Sequence, residues 1–265
     1  MNLELFHASE SLGSQKVKLV LAEKNLEWKS SLLNLLTFDN LDSNYVQLNP
    51  TAVVPTLVHG DRVVTDSDTI IRYLDDKFPN PKLTFTEHKL QMQMNNWIDL
   101  QNQLPMRELI YGNFQGIEGL VLRRSVRLKE KLLLQLIKTH PELEEQYSAK
   151  LKDVRQWNST IQNKQEIANI NANIDTVLDC LEQQLSQTNW LCGSTCSLAD
   201  IVWTAVLYRL DKLKFSHLWL NDTRPALESY IHRLKSRPSF VTVVEKDRMP
   251  LSLLLKGLCR IFLGI

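Results

Sequence analysis

The chain has 265 residues, 43% of them hydrophobic and 23% charged, with a net charge of +1. That length admits one or two domains with a sizeable core, and the near-neutral balance excludes a molecule built as a whole to bind nucleic acid or an anionic membrane. The four cysteines, Cys180, Cys192, Cys196 and Cys259, contain no Cys-x-x-Cys pair and are too few for a disulfide framework, so they fit a reducing, cytoplasmic setting.

Residues 3–7 read as a first strand, and residues 14–24 place Val17, Val20, Leu21 and the Lys24 stem on one face of a helix. A second strand is expected over 28–36 and a short helix over 41–48. Pro55 then stands between the apolar runs Val53-Val54 and Thr56-Leu57-Val58. Lacking an N–H, it cannot serve a central ladder and belongs at a strand's first residue or at an edge. His59-Gly60-Asp61-Arg62 reads as a hairpin turn. Thr65-Asp66-Ser67 reads as the N-cap region of a helix carrying Ile70, Ile71 and Leu74. The order β-α-β-α-β-β-α predicts a small mixed-sheet domain over 1–80, broken by Pro79-Asn80-Pro81.

From Glu87 to about residue 248 the pattern is helical. Residues 87–104 are periodic, Pro105 interrupts, and Gly112, Gly116 and Gly119 loosen the stretch after it. Residues 120–138 interleave Arg123, Arg124, Arg127, Lys129 and Lys131 with Leu and Val. Such a run is first a solvated helix face and second a surface for an acidic partner or lipid headgroups. Residues 165–185 carry one apolar stripe, Ile167, Ile170, Ile174, Val177, Leu178, Leu181 and Leu185. Ser197 and Asp200 are spaced as a capping box before the most apolar segment. The N-terminal residues lack a secretory pattern. The tail, 249–265, is apolar with Lys256 and Arg260 four apart, and is shorter than the ~20 residues that span a bilayer. It reads as a packed final helix or as an interfacial amphipathic anchor. The six histidines show no ligand spacing, and no metal site is expected.

Three stretches carry a resemblance: Ser11-Leu-Gly-Ser14-Gln-Lys16-Val; Asn49-Pro50-Thr-Ala-Val-Val54-Pro55 with Thr65-Asp66-Ser67-Asp68-Thr69-Ile70; and Trp190-Leu-Cys-Gly193 with Ser197-Leu-Ala-Asp200-Ile. Together and in this order they resemble the glutathione S-transferase superfamily. Leu104-Pro105-Met106, Tyr111-Gly112, Pro141-Glu-Leu and Tyr147-x-Ala149-Lys150 narrow the resemblance. They are similar to the group of ganglioside-induced differentiation-associated protein 1 and the tetrachlorohydroquinone dehalogenase-like transferases, with residues ~120–165 as that group's insertion. The resemblance covers the chain to about residue 245.

The resemblance implies an α/β, thioredoxin-like N-terminal domain and an all-α C-terminal domain. It also implies glutathione as co-substrate, a hydrophobic electrophile as second substrate, and a homodimer. Ser11 matches the position of the family's active Ser or Cys, with Ser14 and then Ser9 as alternatives, and all three would otherwise serve only the turn and cap. Val54, before a cis Pro55, is implied to pair with the cysteinyl backbone, and Asp66-Ser67 to hold the γ-glutamyl group. The glycine end falls near Asn40, where relatives often carry His or Lys, and Val53 replaces another frequent Lys or Gln. That leaves the cationic grip on the glycine carboxylate thin, with Lys16 as one substitute source of charge. Trp97, Leu104, Met106, Tyr111 and Phe114 are candidate walls for the electrophile, or ordinary core. The rival reading is a non-catalytic interaction or membrane-surface module, with peripheral contact through the tail.

Overall fold

The computed structural model describes residues 2–264. Four strands, β1 (Leu3–His7), β2 (Lys29–Leu32), β3 (Thr56–His59) and β4 (Arg62–Thr65), form one sheet in the order β2-β1-β3-β4. β1 pairs in parallel with β2 and antiparallel with β3, and β3 pairs antiparallel with β4. The parallel pair needs a crossover, which α1 (Leu12–Glu23) supplies. α2 (Ser43–Leu48) and α3 (Ser67–Lys77) complete this half. β3 is a central strand, and Pro55 immediately precedes it, so its missing N–H removes no ladder bond. Gly60, at φ +60°, makes the two-residue hairpin turn.

The rest is helical: α4 (His88–Asn102), α5 (Met106–Gly112), α6 (Gly116–Thr139), α7 (Glu144–Gln162), α8 (Lys164–Leu185), α9 (Leu198–Lys212) and α10 (Pro225–Lys235). α11 (Pro238–Phe240) runs into a π turn, Val241–Glu245, and α12 (Leu251–Leu263) closes the described chain. The expected loosening after Pro105 is smaller than the glycines suggest. α6 begins at Gly116, and Gly119 is buried inside it, where a Cβ would meet the Phe114 carbonyl oxygen at 2.9 Å. Gly119 is therefore a close-packing residue and not a breaker.

α1, α3 and the sheet share an apolar core with α4, α8, α9 and α10, built on residues such as Leu5, Val20, Leu57, Ile71 and Trp203. A second core lies under α6 and α7. There Val126, Leu133, Tyr147, Val154 and Trp157 pack against Phe38, Leu41, Val46 and Ala52 of the first half. Within the first half, a buried ion pair ties the end of α1 to α3, Lys24 Nζ to Asp75 Oδ1 at 2.7 Å. Lys24 further donates to the carbonyls of Phe78 and Pro81, and Asp75 accepts from the Leu83 N–H. Among the described residues no helix is long and apolar enough to cross a membrane.

Candidate glutathione site

The first two of the stretches that carry the resemblance, with their segments at Ser11, Pro55 and Ser67, converge on one glycine. A Cβ built on Gly13 would lie 3.1 Å from Pro55 Cδ, 3.5 Å from Ser67 Cβ and 3.6 Å from Ser67 Oγ. The first turn of α1, the Pro55 loop and the start of α3 thus touch because residue 13 has no side chain.

Ser11 is the N-cap of α1, and its Oγ accepts from the Ser14 N–H at 3.4 Å. Its own hydroxyl proton has no acceptor among the described residues, and the side chain is only half-buried. Ser14 is fully buried and its Oγ accepts from the Ala8 N–H at 3.4 Å, so it braces the turn from beneath. Ser9 makes no side-chain hydrogen bond among the described residues.

The Val54–Pro55 peptide is cis. The loop before it is held through Val53, whose carbonyl accepts from Tyr45 Oη and from Asn49 Nδ2 at 2.9 Å. Both donors also meet Thr56 Oγ1. Val54 itself has neither its N–H nor its C=O engaged among the described residues. At α3, Asp66 sits at φ +69° as N-cap and accepts from the Thr69 N–H at 2.9 Å. The Ser67 and Asp68 N–H groups, the first two of the helix, have no acceptor among the described residues, and they stand at the positive end of the helix dipole.

Two residues lie differently from their sequence-based description. Lys16, named above as a substitute source of charge for the glycine end, is buried and pairs with Asp68 Oδ1 at 3.3 Å and with Gln101 Oε1. Its charge therefore braces the start of α3 against α4. Asn40 is buried, with its Nδ2 donating to the Ala52 carbonyl at 2.7 Å. Of the candidate walls, Leu104 and Met106 belong to the core, and the Trp97 carbonyl accepts from Trp203 Nε1. Tyr111 and Phe114 are half-buried, edge to face at 5.5 Å.

One tether lay beyond sequence reasoning. Glu10, at φ +58°, donates its N–H to Asp247 Oδ2 at 3.0 Å, and its carbonyl accepts from Arg209. Asp247 also pairs with Lys18 Nζ at 2.6 Å and accepts from Gln15 Nε2 at 3.1 Å. The loop that presents Ser11 is thereby fixed by the C-terminal half. No local pattern announces a contact 237 residues apart in sequence.

Comparison with known proteins identifies the family. The glutathione S-transferase N-terminal domain family matches residues 5–82, and the corresponding C-terminal domain family matches residues 164–233. A tetrachloro-p-hydroquinone reductive dehalogenase of Sphingobium chlorophenolicum is 30% identical over 246 residues, covering 91% of this chain and 94% of that protein. The chain belongs to the glutathione S-transferase family. Human ganglioside-induced differentiation-associated protein 1-like 1 is 27% identical over 273 residues, covering 92% of this chain and 74% of that protein. The fold is that of the β-etherase LigF from Sphingobium sp. strain SYK-6, at TM-score 0.73 and 22% identity over 93% of this chain and all of that one. In this transferase-family chain α4 to α7, the α6–α7 hairpin included, lie between the two matched regions.

Proposed function

We propose that the protein is a glutathione-dependent enzyme whose bound thiolate attacks a hydrophobic electrophile. The observation that carries this reading is the meeting of α1, Pro55 and Ser67 at Gly13. Glutathione would lie across the sheet's end. Its γ-glutamyl carboxylate would accept from the free N–H groups of Ser67 and Asp68, with the Ser67 hydroxyl beside them and Asp66 facing the ammonium. The open N–H and C=O of Val54 suit a two-bond pairing with the cysteinyl backbone, as in strand addition. Pro55 holds that loop, Asn40 braces it through Ala52, and Ser14 supports the turn.

Ser11 does the chemistry in this reading. A free thiol of pKa about 8.5 is mostly protonated at neutral pH. The Ser11 hydroxyl donates to the sulfur, and the N-terminus of α1 adds positive potential, so both favour thiolate. Tyr111 and Phe114 border the electrophile. Conjugation needs only this thiolate. Reduction follows if a second glutathione attacks the adduct's sulfur, releasing the reduced product and glutathione disulfide. Burial pushes the Cys192 thiol up to about 12 and raises that of Cys196 as well, so neither offers a ready protein thiolate. A cytoplasmic homodimer belongs to the same reading. Calorimetry with glutathione at neutral pH tests it: millimolar or tighter binding is expected, and no detectable heat would overturn it.

A second reading, attachment to a membrane surface, is favoured by α12. Gly257 and Ile261 face inward, while Leu251, Leu255 and Leu263 are more than half exposed. Lys256 and Arg260 flank this apolar face, as in helices that lie in a bilayer interface. Removal of residues 250–265 would abolish sedimentation with anionic liposomes. Unchanged partitioning would end this reading.

A further inference from the structure

The α6–α7 hairpin brings two cations against the loops that border the cis proline, and α5 places a third beside them. Lys150 on α7 donates from Nζ to the Thr51 carbonyl at 3.2 Å and lies 3.7 Å from Asp153 Oδ2. Arg107 on α5 pairs with Asp153 at 2.9 and 3.1 Å and with Glu108, its guanidinium 5.5 Å from the Trp157 ring centre. Lys129 on α6 places its ammonium 5.6 Å from the centre of the Phe38 ring. The two carboxylates of this cluster both serve Arg107, and one is shared with Lys150. Lys129 has no carboxylate and no hydrogen-bond acceptor among the described residues.

A half-buried ammonium beside two other cations is held at an electrostatic disadvantage. Burial, then the charge of Lys150 and to a lesser degree that of Arg107, bring its pKa down to about 8 against an opposing pull from Asp153. An arriving anion would remove that disadvantage.

The position indicates which anion. Strand order places the start of α3 next to the end of β4, then Val54 just before the start of β3, then the end of β1, then the segment following β2 that carries Phe38. A peptide anchored at Ser67 and on Val54 has its third residue on the side away from α3. An extended tripeptide reaches roughly 10 Å, about two strand spacings of ~4.8 Å. That brings its far end toward Phe38, Asn40 and Thr51. The polar side chain there, Asn40, has its amide committed to Ala52.

We propose that Lys129, supported by Lys150 and Arg107, is the binding group for the glycyl carboxylate of glutathione, supplied by the α6–α7 hairpin and not by the N-terminal domain. This rests on the glutathione reading above. The sequence held a signal for it: Lys129 lies between Val126 and Leu133 on the buried stripe of α6, where a solvated lysine does not belong.

The test is calorimetry of the wild-type protein and of Lys129→Gln with glutathione and with its glycyl ethyl ester. Wild type should bind the ester about tenfold more weakly, the loss of one charge-assisted contact. Lys129→Gln should bind glutathione about as weakly as wild type binds the ester, and should not distinguish the two ligands. Equal affinity of wild type for both ligands overturns the assignment while leaving the glutathione reading intact, and needs no variant to fold. A variant that still discriminates against the ester also overturns it, because another group then holds the carboxylate. Failure of wild type to bind glutathione removes the parent reading and this subsite with it.

Discussion

The starts of α9 and α3 use the same chemistry, a serine and a carboxylate at a helix N-terminus, and end in opposite states. At α9, Ser197 and Asp200 are wholly buried. Asp200 Oδ2 accepts from the Ser197 N–H and hydroxyl, each at 2.8 Å. Its Oδ1 accepts from the Leu191 N–H at 3.0 Å and from Tyr230 Oη at 2.8 Å. Every lone-pair direction is used and none faces water. At α3, Asp66 is exposed and caps a single residue, while the Ser67 and Asp68 N–H groups and the Ser67 hydroxyl lack partners among the described residues. A closed network of this kind stabilises a fold, and an open one at the surface is available to a ligand.

The comparison fails if the closed cluster is dispensable. Asp200→Ala removes the acceptor from four donors in the core, and stability should fall by about 4 kcal/mol. Urea unfolding measures this, and a loss under about 1 kcal/mol would contradict it. Protein that remains folded should keep its glutathione affinity, since none of the cluster's partners belongs to the meeting at Gly13.

A group that is buried and only half satisfied gives an intermediate case. His7 Nε2 meets Ser30 Oγ at 2.7 Å, while its Nδ1 is buried with no partner among the described residues, and the ring stands edge-on to Trp28. Burial, with the nearby Lys18 charge, holds its pKa down from 6.5 to about 4, against an opposing pull from Asp247. Between those values the unfolded chain binds a proton that the folded chain refuses. Stability is therefore full above about pH 6.5 and falls as pH drops toward about 4, by roughly 3 kcal/mol in all. Denaturation across that range should show the slope, and His7→Gln should flatten it.

Where the chain's instructions are local, they could be read directly. A proline before a strand, a Gly turn, an N-cap run and a capping box act within a few residues, so β3, the hairpin, α3 and α9 lie where the pattern puts them. Lys16 defeats such reading because its partners, Asp68 and Gln101, lie 52 and 85 residues away. The same holds for Asp247 on the Ser11 loop. Gly119 resembles a breaker, although its role is to let backbone approach backbone. The convergence on Gly13 was only partly legible. The three motifs are visible separately, and their meeting depends on a sheet order that no single stretch encodes.

The start of α1, which meets that of α3 at Gly13, is tested through Ser11. Ser11→Ala removes the hydroxyl from the sulfur's neighbourhood and the acceptor for the Ser14 N–H. The cap contact is long, at 3.4 Å, so stability should change by at most about 1 kcal/mol. A charge-assisted hydrogen bond is worth more, so conjugation at neutral pH should slow by roughly 30-fold, about 2 kcal/mol. The thiolate absorbance of bound glutathione should fall in parallel. Unchanged turnover would remove Ser11 from the mechanism.

Ser67→Ala makes the smallest change and bears most directly on the contrast between the two helix starts. In a closed cluster, deleting a hydroxyl strands the donors and acceptors it had satisfied. At α3 the Ser67 hydroxyl satisfies nothing among the described residues, and the neighbouring backbone N–H groups survive the substitution. Thermal stability should therefore stay within about 0.5 kcal/mol of wild type. Affinity for glutathione should drop by about 1 kcal/mol, a factor of roughly five, because one hydroxyl contact is lost while the helix terminus remains. The reverse outcome, a destabilised protein with unchanged affinity, would mean that the start of α3 is a structural cap like that of α9, and that its open donors are not the binding surface.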